Sequence, residues 1–193
     1  MGASAFYLTG DPAADQLLDS DPNALLIGML LDQQVPMEKA FSGPTVIAER
    51  MGGRLDVTAI AAADPEEFAA LCAKPPAVHR FPGSMAGRIQ SLCRGLVENW
   101  DADVANLYAA STTGAELKKR IAALPGFGPQ KAAIFVAMLG KRRGITPDGW
   151  RSAAAPFGED GSLISVADIV DPESLQQVRA AKRAAKQAAK SGI

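Results

Sequence analysis

This 193-residue chain has little cysteine, one histidine, few aromatic residues and almost no net charge. Its two cysteines, Cys72 and Cys93, cannot form a disulfide framework and fit a reducing compartment. Both read as small buried hydrophobes. His79 is the single histidine, which excludes a histidine-built metal centre and leaves it as an ordinary loop residue. Aromatics are 6% of the chain and runs of β-branched residues are scarce, so a sheet-built core is not expected. No apolar run reaches the roughly 18 to 20 residues of a membrane span. No charged-then-apolar leader precedes the first helix, so a cytoplasmic protein with no membrane partner is expected. Lys and Arg number 20 against 21 Asp and Glu, a formal charge of -1. That excludes a protein that coats nucleic acid through bulk positive charge.

What is present is alanine, leucine and proline in a helical arrangement. Apolar residues are 48% of the chain, enough for a core in one domain or two small lobes. Asp21-Pro22 opens a helix that is apolar on nearly every side through Leu31, the mark of a central buried element. Asp32-Gln33-Gln34 interrupts it, and Pro36 starts a helix that Gly52-Gly53 ends. Short helices are predicted over 56–63, 64–72 and 103–108, and longer ones over 84–100, 113–123, 129–140 and 171–190. Residues 75–83 read as a loop, and 144–165 as a long structured loop with a short helix near Trp150, itself a packing residue. The final helix carries Arg179, Lys182, Arg183, Lys186 and Lys190 on one face, read mainly as a solvated surface.

The most informative stretch is Leu124-Pro125-Gly126-Phe127-Gly128-Pro129-Gln130-Lys131. One apolar helix ends there and another begins at once. Two glycines flanking one apolar residue permit a sharp turn and a close approach of the backbone to a ligand. The amides opening the second helix face outward with the positive end of the helix dipole behind them, where a phosphate fits. The stretch reads as a helix-hairpin-helix, a grip on one strand of DNA. Basic residues surround it (Lys118, Lys119, Arg120, Lys141, Arg142, Arg143), whereas the first third of the chain is acidic.

A helix, Leu-Pro-Gly-x-Gly, a second helix and an aspartate beyond it resemble the helix-hairpin-helix, Gly/Pro-Asp superfamily of base-excision DNA glycosylases. Within that superfamily the chain looks most like an actinobacterial-type branch. The resemblance covers roughly residues 24–150. It implies an all-α, two-lobed fold with double-stranded DNA held across the cleft between lobes. Residues 24–140 would be one lobe containing the hairpin, and 1–23 with 141–193 the other. It also implies hydrolysis of the N-glycosidic bond of a damaged or mispaired base. Family spacing lands on Asp148 as the catalytic aspartate. Asp168 is the alternative, about twenty residues later but in the more family-like context Ser165-Val166-Ala167-Asp168-Ile169. Gln34, after Leu30-Leu31, matches the residue that plugs the gap left by an extruded base, and Phe81 matches an apolar wedge.

The departures refine this. Relatives that also cut the strand carry lysine on the hairpin's second helix, where this chain has Gln130. Lys131 is next door but turned by about 100° around the helix. Iron–sulfur relatives carry four cysteines after the aspartate, and here there is none. The expectation is therefore a monomeric, monofunctional glycosylase without AP-lyase activity. It would use no metal and no cofactor other than a monovalent cation at the hairpin. Two rival readings are a non-catalytic hairpin module that binds duplex DNA and a helical protein–protein adaptor.

Overall fold

The computed structural model describes residues 6–191. Its helices are α1 (Pro12–Ser20), α2 (Pro22–Leu31), α3 (Met37–Arg50), α4 (Val57–Ala62), α5 (Pro65–Ala73) and α6 (Pro82–Trp100). They continue as α7 (Val104–Ala110), α8 (Gly114–Ala122), α9 (Pro129–Arg143), α10 (Trp150–Ala153) and α11 (Pro172–Lys190). A 3-10 turn spans Val166–Asp168. The fold is all-α: among the described residues no strand forms, and Thr113 and Asp148 make one isolated parallel bridge. No described helix is long and apolar enough to cross a membrane.

Aspartate sets several helix starts. Asp11, Asp21, Asp56, Asp64 and Asp171 each accept a hydrogen bond from an amide of the following turn. Sequence reading does not place α1, although Asp11-Pro12 is the same signal as Asp21-Pro22. It also misses the 3-10 turn, which a Ser165 cap starts just past the end of the long loop. α9 runs three residues past the expected end at 140 and stops at Gly144, whose φ of +67° closes the helix.

The chain divides into two compact units. Among the described residues, the first takes in Thr9–Ala110 and Ala123–Phe127; the second takes in Ser111–Ala122, residues 128–191 and residues 6–8. This departs from the expected division into 24–140 against the two ends. α1 packs on α2 and α3, burying Ala14 and Leu18, so the residues before Ala24 stay with the first unit from Thr9 onward. α8 and α9 pack on each other and on α10, so the hairpin's two helices go with the C-terminal segment.

α2 is the axis of the first unit. Residues Ala24 through Leu31 are all buried, and the helix packs on α1, α3, α6 and α7. Each large side chain so buried contributes about 1.5–3 kcal/mol, which makes α2 the main apolar anchor of this unit. Gly28 lets α3 close in: a Cβ there would come within 2.6 Å of the Phe41 ring. In the second unit, α9 buries Phe135, Val136, Met138 and Leu139, and α8 buries Leu117 and Ile121.

Candidate nucleic-acid interface

The hairpin buries its two large apolar side chains and exposes both of its glycines. Leu124 and Phe127 are each 7% exposed, and the Phe127 amide donates to the Leu124 carbonyl at 3.1 Å. Gly126 has φ +84°, and a Cβ on it would run into Leu30. Both facts require glycine there. Gly128 is different. Its φ is -112° and a Cβ on it would meet nothing within 4 Å, so neither backbone nor packing demands glycine. What glycine does at 128 is leave the opening of α9 uncovered. α9 starts there with no side-chain cap, Pro129 supplies no amide, and the first helical bond runs from the Ala132 amide to the Gly128 carbonyl. Gln130 is exposed and Lys131 half-buried.

Two loops of the first unit carry the expected plug and wedge. Gln34 is exposed and held at φ +57°, a region that costs a non-glycine residue about 1–2 kcal/mol. Phe81 stands at the start of α6, 46% exposed, with the Arg80 guanidinium 5.3 Å from its ring centre. Gln34 and Phe81 line one cavity of about 190 Å³, together with Gln33, His79 and Arg88. His79 ties the loops. Its Nδ1 accepts from the Phe81 amide at 3.0 Å, so the ring proton of the neutral imidazole is on Nε2, which donates to the Gln33 carbonyl at 2.9 Å. Gln33 in turn donates through Nε2 to the Leu30 carbonyl at 2.9 Å and accepts from Arg88 Nη1 at 2.9 Å. Leu30 therefore touches both features: its side chain underlies Gly126 and its carbonyl anchors Gln33, in the loop that carries Gln34.

Sequence reading treats His79 as an ordinary loop residue; it is 1% exposed and is the bracket of this arrangement. Only its position close before Phe81 could have hinted at that. The bond to Gln33 spans 46 residues and leaves no local trace.

The two candidate carboxylates lie in the second unit, in opposite surroundings. Asp168 is 5% exposed. Its Oδ1 accepts from Lys141 Nζ at 2.6 Å and Ser162 Oγ at 3.0 Å, and its Oδ2 from the amides of Ile164 and Ser165, both at 3.0 Å. Every acceptor site is occupied, and the group fastens the 3-10 turn to α9. Beside it, Arg142 Nε donates to the Ala167 carbonyl at 3.0 Å, and burial lowers the Arg142 pKa against the pull of the Asp168 charge. Asp148 is exposed, and its carboxylate forms no hydrogen bond or ion pair with the described residues.

Only the Asp148 backbone is fixed. Its carbonyl accepts from the Gly114 amide at 2.8 Å, and Gly149, at φ +73°, turns the chain into α10. A Cβ at Gly114 would strike the Trp150 backbone, and a Cβ at Gly140 would strike the Trp150 ring. Trp150 thus packs on α9, as expected, while the Arg151 guanidinium lies 4.5 Å from its ring centre. The loop is clamped to the first residue of α8 and the last turns of α9. From Gly128 to Gly140 the helix rises about 18 Å, so both aspartates are anchored toward the end of α9 remote from Gly128.

Among known proteins, a family model described as HhH-GPD superfamily base excision DNA repair protein matches residues 27–191. No curated protein and no solved structure matches.

Proposed function

We propose that this chain, which belongs to the HhH-GPD superfamily of base excision DNA repair proteins, is a monofunctional DNA glycosylase. It acts on a damaged or mispaired base in duplex DNA. The observation that carries the proposal is the coupling at Leu30. One residue supports both the turn that would grip a phosphate and the loop that would fill an emptied base stack.

Opening the stack costs a few kcal/mol, which an inserted side chain offsets by holding the gap. Gln34 and Phe81 are exposed residues suited to that, on loops joined by a buried imidazole. The glycosidic bond then breaks through a sugar cation, which a carboxylate stabilises. Water oxygen bonds to C1′, its proton passes to the carboxylate, and the base leaves with the electrons of the broken bond. Asp148 has an unengaged carboxylate for this role, whereas Asp168 would have to abandon Lys141, Ser162 and two amides. Gln130 offers no amine to attack the sugar, in keeping with base release and no strand cleavage.

One observation favours a second reading, a duplex-binding module without chemistry: both aspartates are anchored about 18 Å along α9 from the phosphate grip. The discriminating experiment incubates the protein with duplexes carrying a panel of lesions and measures free base, abasic sites and strand breaks. The glycosylase reading expects base release that Asp148→Asn abolishes, with duplex binding kept. Tight binding with no release from any lesion selects the module, and loss of release in Asp168→Asn alone moves the chemistry to Asp168.

A further inference from the structure

α11 differs from every other long helix here in how little of it is buried. Only Ser174 and Val178 are, and each residue from Lys182 to Ser191 is exposed. Packing does not hold this second half; composition does. Alanine, lysine and arginine are among the strongest helix formers, and cations near the C-terminus complement the dipole.

The exposed half has one chemical character. Lys182, Arg183, Lys186 and Lys190 recur at i, i+1, i+4 and i+8, a stripe about 100° wide and about 12 Å long. No acidic residue follows Glu173, so the second half of the helix carries positive charge alone. The remaining positions are alanine and Gln187. That choice narrows the partner. An interfacial membrane helix needs bulky apolar residues opposite its cations, and a protein interface needs aromatic or large aliphatic anchors. Beyond Val178 this helix has neither. A regular polyanion needs only the cations.

We propose that the second half of α11 is a sequence-independent contact to the phosphate backbone of duplex DNA, additional to the hairpin. The inference rests on duplex DNA being the partner of the chain. The cations supply attraction without reading bases, so the helix lengthens residence on undamaged duplex and leaves lesion choice to the loops. It also explains how a chain of net charge -1 holds DNA: the positive charge is concentrated rather than abundant.

The test neutralises four cations at once (Lys182→Gln, Arg183→Gln, Lys186→Gln, Lys190→Gln) in the full chain, with circular dichroism to check folding. Affinity for an undamaged 40-base-pair duplex is measured across salt concentrations, with Gly128→Asp in parallel. The expected result is a log–log salt slope shallower by roughly 3 to 4, at about 0.9 for each phosphate no longer neutralised, and affinity at least about tenfold weaker at 0.1 M salt. An unchanged slope in a folded quadruple variant, while Gly128→Asp loses binding, overturns the α11 contact and leaves the hairpin reading standing. Wild type that binds no duplex at low salt overturns both. Unchanged duplex binding with selective loss on anionic phospholipid vesicles assigns the helix to membranes and overturns the proposal.

Discussion

His79 Nε2 donates to the carbonyl oxygen of Gln33 at 2.9 Å, and the other nitrogen of the same ring accepts from the Phe81 amide at 3.0 Å. One side chain thus fixes the spacing of the two loops that would enter the DNA stack. Both bonds require the neutral ring with its proton on Nε2. His79 itself is 1% exposed.

His79→Ala should therefore separate stability from gripping. It removes the partner of the part-buried Gln33 carbonyl and Phe81 amide, a loss of about 0.5–1.5 kcal/mol for each bond, read as a lower midpoint in urea. The hairpin is untouched, so affinity for undamaged duplex should be nearly unchanged. Stack opening, followed by the fluorescence of 2-aminopurine beside a lesion, should fall. Wild-type fluorescence in a folded His79→Ala variant would show that the bracket does not position the loops.

The two aspartates should respond oppositely to the same chemical change. Asp168→Asn leaves Lys141 buried without a counter-charge (its side chain is 10% exposed) and should cost about 3–5 kcal/mol. Adding Lys141→Met should recover part of that loss, because the stranded charge goes with it. Asp148→Asn removes a carboxylate with no bonded partner, so the denaturation midpoint should stay within error while base release stops. A midpoint unmoved by Asp168→Asn would mean that the ion pair does not hold the 3-10 turn.

The thiols give a prediction with a definite sign. Burial pushes Cys93 from an ordinary value near 9 to about 12, and Cys72 to about 11. A raised folded-state value means the native protein holds the thiol proton more tightly than the unfolded chain. The associated stability is complete below about pH 9 and is lost as pH climbs through about 11 and then 12. At pH 8 neither thiol should react with Ellman's reagent in the native protein, and both should react in guanidinium. Rapid native labelling would contradict the burial of both groups.

Legibility in the sequence follows the range of the interaction. The Asp-Pro starts of α2 and α5, the glycine turn and the buried run of α2 are local, and they stand where the residues indicate. The helix-hairpin-helix reading of residues 124–131 agrees with the family match over 27–191. The unit boundary is not legible, because it depends on α1 packing against α2 and α3 rather than on any linker. Nor is the contrast between the aspartates. Family-like neighbours make Asp168 attractive, yet of these only Ser165 bonds its carboxylate; Ser162, the Ile164 amide and Lys141, 27 residues away, complete its saturation.

Gly128→Asp separates packing from phosphate binding at the hairpin. Position 128 is the N-cap of α9, and the helix starts there with no side-chain cap. An aspartate would find open space, ordinary backbone angles and amides to accept from, as Asp21 and Asp64 do at α2 and α5. The variant should be as stable as wild type or more so, by up to about 1 kcal/mol, since a capping carboxylate satisfies an amide and complements the dipole. The same carboxylate would occupy the place of the phosphate and repel it, so duplex affinity should fall at least about tenfold. Gly126→Ala should do the reverse to stability, because φ +84° and Leu30 leave no room for a methyl group, and Leu30→Ala should relieve only the second of those two costs. A Gly128→Asp protein that melts higher yet binds DNA as well as wild type would mean that the uncapped helix start is not where the phosphate sits.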